Sequence, residues 1–237
     1  MLDKEIRHVS QELAELLLAY SNEPVSRLYA QYNVNPKSKR CNQSLAMALI
    51  QGSGKQDIVD FISQPQVCVK TVKLVRGGQV EASLSLPSFR FDEIVHETWE
   101  ESSLRKMLAS TVFVLIFFEE ESYAKKKEVY IKTGFIWKMP ENILDNGVRR
   151  SWQRVVDCLK EGRVVKYIGE DGRYHTYFPR TSDGPYVHVR PHAASSDSKL
   201  PLPVPDKLTG LTAYPMHSFW LTRSYIQKLL LQGDWSE

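Results

Sequence analysis

The chain has 237 residues, 42% hydrophobic and 25% charged, with a formal net charge of +3. That length and balance support a full hydrophobic core and exclude disordered and fibrous classes. The mild charge permits a nucleic-acid partner without demanding one, because the placement of basic residues matters more than their sum. Cys41, Cys68 and Cys158 are widely spaced and form no CxxC pair, which argues against a disulfide framework and a zinc site. The opening residues carry no apolar run of a secretion signal, and Thr111–Phe118 is too short to span a bilayer. A cytoplasmic protein with no membrane partner is expected.

In chain order, Ile6, Leu13, Leu16 and Leu17 form one stripe of an amphipathic helix that Glu23-Pro24 ends. A second short helix over 23–34 and the basic turn "NPKSKR" lead to a third helix at 41–52. Asn42 or Ser44 is its expected cap and Gly52 its stop. "GSGKQ" lacks the spacing of a phosphate loop and follows a helix rather than a strand. Residues 1–52 are expected as a helical N-terminal segment packed on the α/β core of a single domain, 1–237.

From Val67 the pattern becomes strand-like. Val67–Leu74 ("VCVKTVKL") alternates with period two, and Gly77-Gly78 signals a hairpin to "VEASLSL". One helix is expected over about 91–110, then the buried strand "TVFVLIFF". The charged "EEESYAKKK" reads as a solvated connection to a strand at 128–139. A helix begins near Pro140. The last third is loop-rich, with a strand at "YVHVR" and an aromatic strand running into a final helix at "HSFWLTRSYIQKLLLQ".

Three places could carry chemistry. Lys70 stands on its strand as a lysine does in metal-dependent phosphodiester hydrolysis, where carboxylates hold Mg²⁺ and the lysine stabilises charge. Asp57 and Asp60 lie upstream, but the place two residues before Lys70 is Cys68, and no histidine is positioned by sequence to activate that thiol. The plainer reading is an edge-strand lysine beside a small core cysteine. In "HVRPHAASSDSK", Arg190 can take a guanine edge bidentately, and Ser195 and Ser196 suit phosphate oxygens. His188 and His192 are four apart, but Pro191 and the alternation make them strand and loop residues rather than a helical metal pair. In "SFWLTRSYI", Arg223 beside Tyr225 could clamp a backbone, although most of the segment reads as core.

Together these segments resemble the MutH family of GATC-directed DNA endonucleases, which includes two-domain type II restriction enzymes. "VRPHAASS" resembles that family's Arg-Pro-Lys-Ala recognition loop, and "FWLTRSYI" its terminal Phe-Tyr-Leu-Arg-Lys-Ser-Phe motif. "VKTVKL" resembles the strand bearing the catalytic lysine, and "TWEESSLRKML" followed by "VFVLIFF" the helix and central strand that come next. The nearest resemblance is to the non-catalytic C-terminal half of the two-domain enzymes, an effector domain that binds a second copy of the recognition sequence. The resemblance implies an α/β restriction-endonuclease-like (MutH-like) core, a mixed central sheet flanked by helices.

Carried over by position, Arg190 and Pro191 match the recognition loop and His192 replaces its lysine. Arg223 and Tyr225 match the terminal motif approximately, and Lys70 the catalytic lysine. Cys68 stands where the family has a metal-binding glutamate. The aspartate seven positions earlier falls on Phe61, with Asp60 adjacent. A helical glutamate falls near Met47, and a further lysine on Met107, beside Lys106. The expectation is a GATC-type double-stranded DNA-binding module with a degraded active site and no metal. Arg190 and His192, flanking Pro191, read the groove, while Lys70, Ser195, Ser196, Arg223 and Tyr225 hold the backbone. Its other expected partner is a catalytic nuclease domain of the same or another chain. The alternative is an active Mg²⁺-dependent endonuclease drawing carboxylates from Asp57, Asp60 or Glu81, and a third reading is an interaction protein that keeps the fold without binding DNA.

Overall fold

The structure is a computed structural model that describes residues 2–123, 126–192 and 198–232. It opens with helices α1 (Leu2–Leu18), α2 (Val25–Gln31), α3 (Cys41–Gln51) and α4 (Gln56–Ile62). Strands β1 (Val67–Val75), β2 (Gln79–Val80) and β3 (Leu84–Phe89) follow, then α5 (Phe91–Ile94) and α6 (Ser103–Ser110). The long β4 (Val112–Tyr123) and β5 (Lys126–Lys138) lead through a π-helical turn, Ile143–Val148, into α7 (Arg149–Lys160). Next come β6 (Val165–Ile168), β7 (Tyr174–Thr176), β8 (Val187–Pro191), β9 (Lys199–Pro201), β10 (Ala213–Pro215), β11 (His217–Leu221) and α8 (Arg223–Gln232). Two compact units result: Met1–Ala82 with Ser110–Met139 and Leu229–Glu237, and Ser83–Ala109 with Pro140–Lys228.

The first unit is built on a four-stranded sheet in the order β2-β1-β4-β5. β1 and β4 run parallel from Val67↔Val112 to Leu74↔Glu119, while the other pairs are antiparallel, so the sheet is mixed. β4 reads as a continuous apolar run because both of its faces are buried. On one face Val69, Val112, Val114, Ile116 and Ile136 join a core with Leu13, Leu17, Leu28, Leu49 and Phe61 from α1–α4. The other face carries the ring pairs Phe113–Trp137 and Phe117–Phe135, at 5.4 and 5.0 Å between centroids.

Several local expectations change here. α3 begins at Cys41 without a side-chain cap; Asn42 instead takes a hydrogen bond from the Tyr29 hydroxyl. Gly52 does end it. The short α4 was not foreseen, and it exists because Ile58, Phe61 and Ile62 bury one stripe. The charged stretch after Phe118 is strand, not loop. Its ladder runs on from Glu119↔Tyr130 to Tyr123↔Lys126. Acid–base pairs hold it: Lys132–Glu119 at 2.9 Å, Lys127–Glu120 at 2.8 Å and Lys73–Glu120 at 3.4 Å. The Gly77-Gly78 hairpin forms with both glycines at positive φ, but its returning strand β2 is two residues long.

The second unit contains the antiparallel sheet β3-β11-β8 and the small pairs β6-β7 and β9-β10. β3 therefore leaves the hairpin sheet and pairs with β11, from His217↔Phe89 to Leu221↔Leu84. The single helix expected over 91–110 is two. The chain leaves α5 after Val95 and restarts when Ser102 Oγ accepts the Arg105 N–H at 3.2 Å, a capping bond. Asp145 fixes this region by accepting Trp99 Nε1–H at 2.7 Å and Arg105 Nε–H at 2.8 Å. Arg105, then Trp99, holds the Asp145 carboxyl below its usual range. The buried Asp206 carboxylate accepts the N–H groups of Val164, Val165 and Thr209.

Candidate nucleic-acid interface

The second unit places polar residues on one face of its three-stranded sheet. In β8 the alternation buries Val187 and Val189 on the core face, which puts His188 and Arg190 on the other. The β11 partners on that face are Trp220 opposite His188 and Ser218 opposite Arg190. The exposed Arg190 guanidinium lies over the Trp220 ring, 5.0 Å from its centroid, and meets no carboxylate among the described residues. Its five donors are thus stacked, oriented and available.

His192 is also exposed. Its Nδ1 is 2.9 Å from Ser218 Oγ, its N–H donates to Met216 O, and its ring lies 6.1 Å from that of Trp220. Pro191, exposed and opposite His217, ends β8. His188 is buried, with Nε2 3.0 Å from Ser83 Oγ. Burial, then the Arg190 charge, lowers its pKa to about 4, so it stays neutral beneath the platform. Trp220, Ser218, His188 and Ser83 were not singled out from sequence. The period-two spacing of His188, Arg190 and His192 was the signal for the shared face; their pairing with Trp220 was not readable.

Arg223 is exposed at the first turn of α8, where its N–H donates to Ser83 Oγ at 3.3 Å. Thr222 caps that helix by accepting the Tyr225 N–H. Tyr225 does not suit the phosphate clamp expected of it. It is 3% exposed, packed edge-on against Tyr186 at 5.1 Å, and burial raises its hydroxyl pKa. Ser195 and Ser196 lie outside the described residues.

In the first unit Lys70 and Lys73 are three apart on an unbroken strand, so they point to opposite faces, not to one. Lys73 shares its face with Val69 and is bound to Glu81 at 3.2 Å and Glu120 at 3.4 Å. Lys70 shares the other face with Cys68 and Val72, is half-buried, and forms no ion pair among the described residues. Among the described residues the strand edge beside it has no strand partner, and the Gln43 amide donates to Val69 O there at 3.2 Å.

The structure does not bring the candidate carboxylates to Lys70. Asp60 is exposed on α4, where it accepts Gln56 Nε2–H at 2.7 Å, and α4 packs on the Val69 face of the sheet. Asp57 lies beside His8 and Glu12 of α1. Glu81 pairs with Lys73. Phe61 and Met47 offer no oxygen, and Lys106 is held by Glu101 at 2.5 Å. A Mg²⁺ ion needs several hard oxygen ligands, and the described residues around Lys70, with the sulfur of Cys68 in place of an oxygen, do not fit one.

Two comparisons bear on this arrangement. Residues 51–146 match the family model described as DNA mismatch repair enzyme MutH. That span runs from the end of α3 through β1, β4 and β5 into the π-helical turn, and includes Lys70. The chain has a MutH-like restriction-endonuclease fold. It is also 28% identical, over 94% of its length, to the type II restriction enzyme Sau3AI of Staphylococcus aureus, and the alignment covers 52% of that enzyme. The chain spans about half the length of the curated relative it matches. Both findings relate the chain to MutH-like and restriction-enzyme sequences. Among the described residues no helix is long and apolar enough to cross a membrane.

Proposed function

We propose that this MutH-like chain is a sequence-specific double-stranded DNA-binding module for GATC-type sites, an effector domain of a type II restriction enzyme with a degraded nuclease site. The observation that carries the reading is the Arg190 guanidinium, exposed and stacked on Trp220 with no acidic partner among the described residues. A guanidinium held over an aromatic ring and unneutralised is suited to the O6/N7 edge of guanine. His192, fixed by Ser218, supplies a second donor at the same strand end. Arg223 and Lys70 provide backbone contacts, the latter left from a site whose metal ligands are gone.

The partner under this reading is a catalytic nuclease domain, either elsewhere in the same polypeptide or on another chain. The test incubates the purified protein with labelled GATC and scrambled duplexes, with and without Mg²⁺, and scores binding and cleavage together. Selective binding without cleavage is the expected result. Metal-dependent cleavage abolished by Lys70→Ala establishes the active endonuclease instead. No retention of any duplex at low salt establishes an interaction protein that keeps only the fold.

A further inference from the structure

Between Glu23 and Asp57 the chain has no acidic residue, yet it carries Arg27, Lys37, Lys39, Arg40 and Lys55. The whole chain has 31 Lys and Arg against 28 Asp and Glu, so this stretch departs sharply from the average. Among the described residues only Lys55 meets a carboxylate, Glu12 at 3.5 Å. Arg27, Lys37, Lys39 and Arg40 are exposed and without an ion pair among the described residues.

The fold gains nothing from this placement. Lys39 and Arg40 directly precede α3, at the helix end whose partial positive charge disfavours cations. The turn is nevertheless held firmly. Asn35 Oδ1 accepts the Lys37 N–H at 3.0 Å, Ser38 Oγ accepts the Arg40 N–H at 3.2 Å, and Cys41 N–H donates to Ser38 O at 3.1 Å. The Tyr29 hydroxyl reaches across from α2 to Cys41 Sγ at 3.2 Å and to Asn42. The next residue, Gln43, is bonded to Val69 O, next to Lys70. A preorganised cluster of unneutralised cations is thereby anchored to the strand that carries Lys70.

We propose that the Lys37–Arg40 turn is a second contact to the duplex backbone, gripping phosphates without regard to sequence. It rests on the DNA-binding reading. Each cation that displaces a condensed counterion steepens the salt dependence of binding.

The test compares the wild type, K37Q/K39Q/R40Q and the charge-conserving K37R/K39R/R40K on GATC and scrambled duplexes, by fluorescence anisotropy across a salt series without Mg²⁺. The neutral variant is expected to lose affinity for both duplexes by the same factor. The slope of log K against log salt should be shallower by about 2–3, since each lost phosphate contact removes about 0.9. The ratio between duplexes should not change, and the charge-conserving variant should match the wild type. An unchanged slope in the neutral variant, with the wild type binding normally, overturns this inference alone. Failure of the wild type to bind either duplex removes the DNA-binding reading, and this contact with it.

Discussion

Arg190 and Trp220 stack across the β8–β11 pair with 5.0 Å between guanidinium and ring centroid, on the face of the sheet away from its Phe89–Phe219 core. The ring contact restrains the fork before any ligand arrives. Arg190→Lys keeps the charge but removes both the plane and the bidentate geometry. It should weaken binding to a GATC duplex by about 1–3 kcal/mol, the value of one bidentate base contact, and leave a scrambled duplex almost unaffected. Titration of both duplexes at fixed salt checks this. Equal loss on both would make Arg190 a phosphate contact.

Lys70→Ala should act differently, lowering affinity for every duplex and reducing the salt slope by about one. Cys68→Glu, which restores only one carboxylate to the strand, should not generate Mg²⁺-dependent cleavage, because Asp57, Asp60 and Glu81 are committed elsewhere. A nicking assay on supercoiled plasmid reads both variants. Cleavage by the Cys68→Glu protein would mean that further oxygen ligands reach Lys70 after all.

Gly134 lets α1 come close to the sheet. A β-carbon there would stand 2.4 Å from Leu17 Cδ1 and 3.2 Å from Leu115 O. Gly134→Ala should cost about 1–3 kcal/mol, the range for overpacking a filled core. Leu17→Ala opens a cavity and is destabilising by itself, yet in the double variant it frees the space the new methyl needs. Urea unfolding of the four proteins should give a coupling energy that favours the pair. Additive losses would place the strain elsewhere.

His188 and His217 are both buried, and burial lowers each pKa from 6.5 to about 4. The unfolded chain therefore binds more protons than the native one between these values. Their contribution to stability is complete above pH 6.5 and is lost as pH falls toward 4. The slope of unfolding free energy against pH should approach two protons near the middle of that window. His188→Gln should remove up to one of them, measured by urea unfolding at pH 7, 6 and 5.

What could be read in advance was local. The apolar run of β4 announces a strand buried on both faces, and Gly77-Gly78 announces the turn after β1, because each depends on near neighbours. The partnership of β3 with β11 joins residues more than a hundred positions apart, and no periodicity encodes it. The same holds for the candidate site. His188, Arg190 and His192 share a face by simple alternation, but Trp220 becomes their floor only when β11 is laid beside β8. Tyr225 looked like a clamp because it follows Arg223 and Ser224. It is buried because Thr222 starts the helix at a point that turns position 225 inward.

Among the described residues, β1 from Val67 to Val72 has a strand partner on one side only, with Gln43 occupying a single carbonyl on the other. A half-paired strand is a template on which a second molecule can add its own strand. Lys70, lodged in that stretch, opposes such growth by forcing two ammonium groups together whenever two copies align in register. A charge at position 70 therefore guards the sheet edge whatever else the lysine does, and the position need not tolerate losing it.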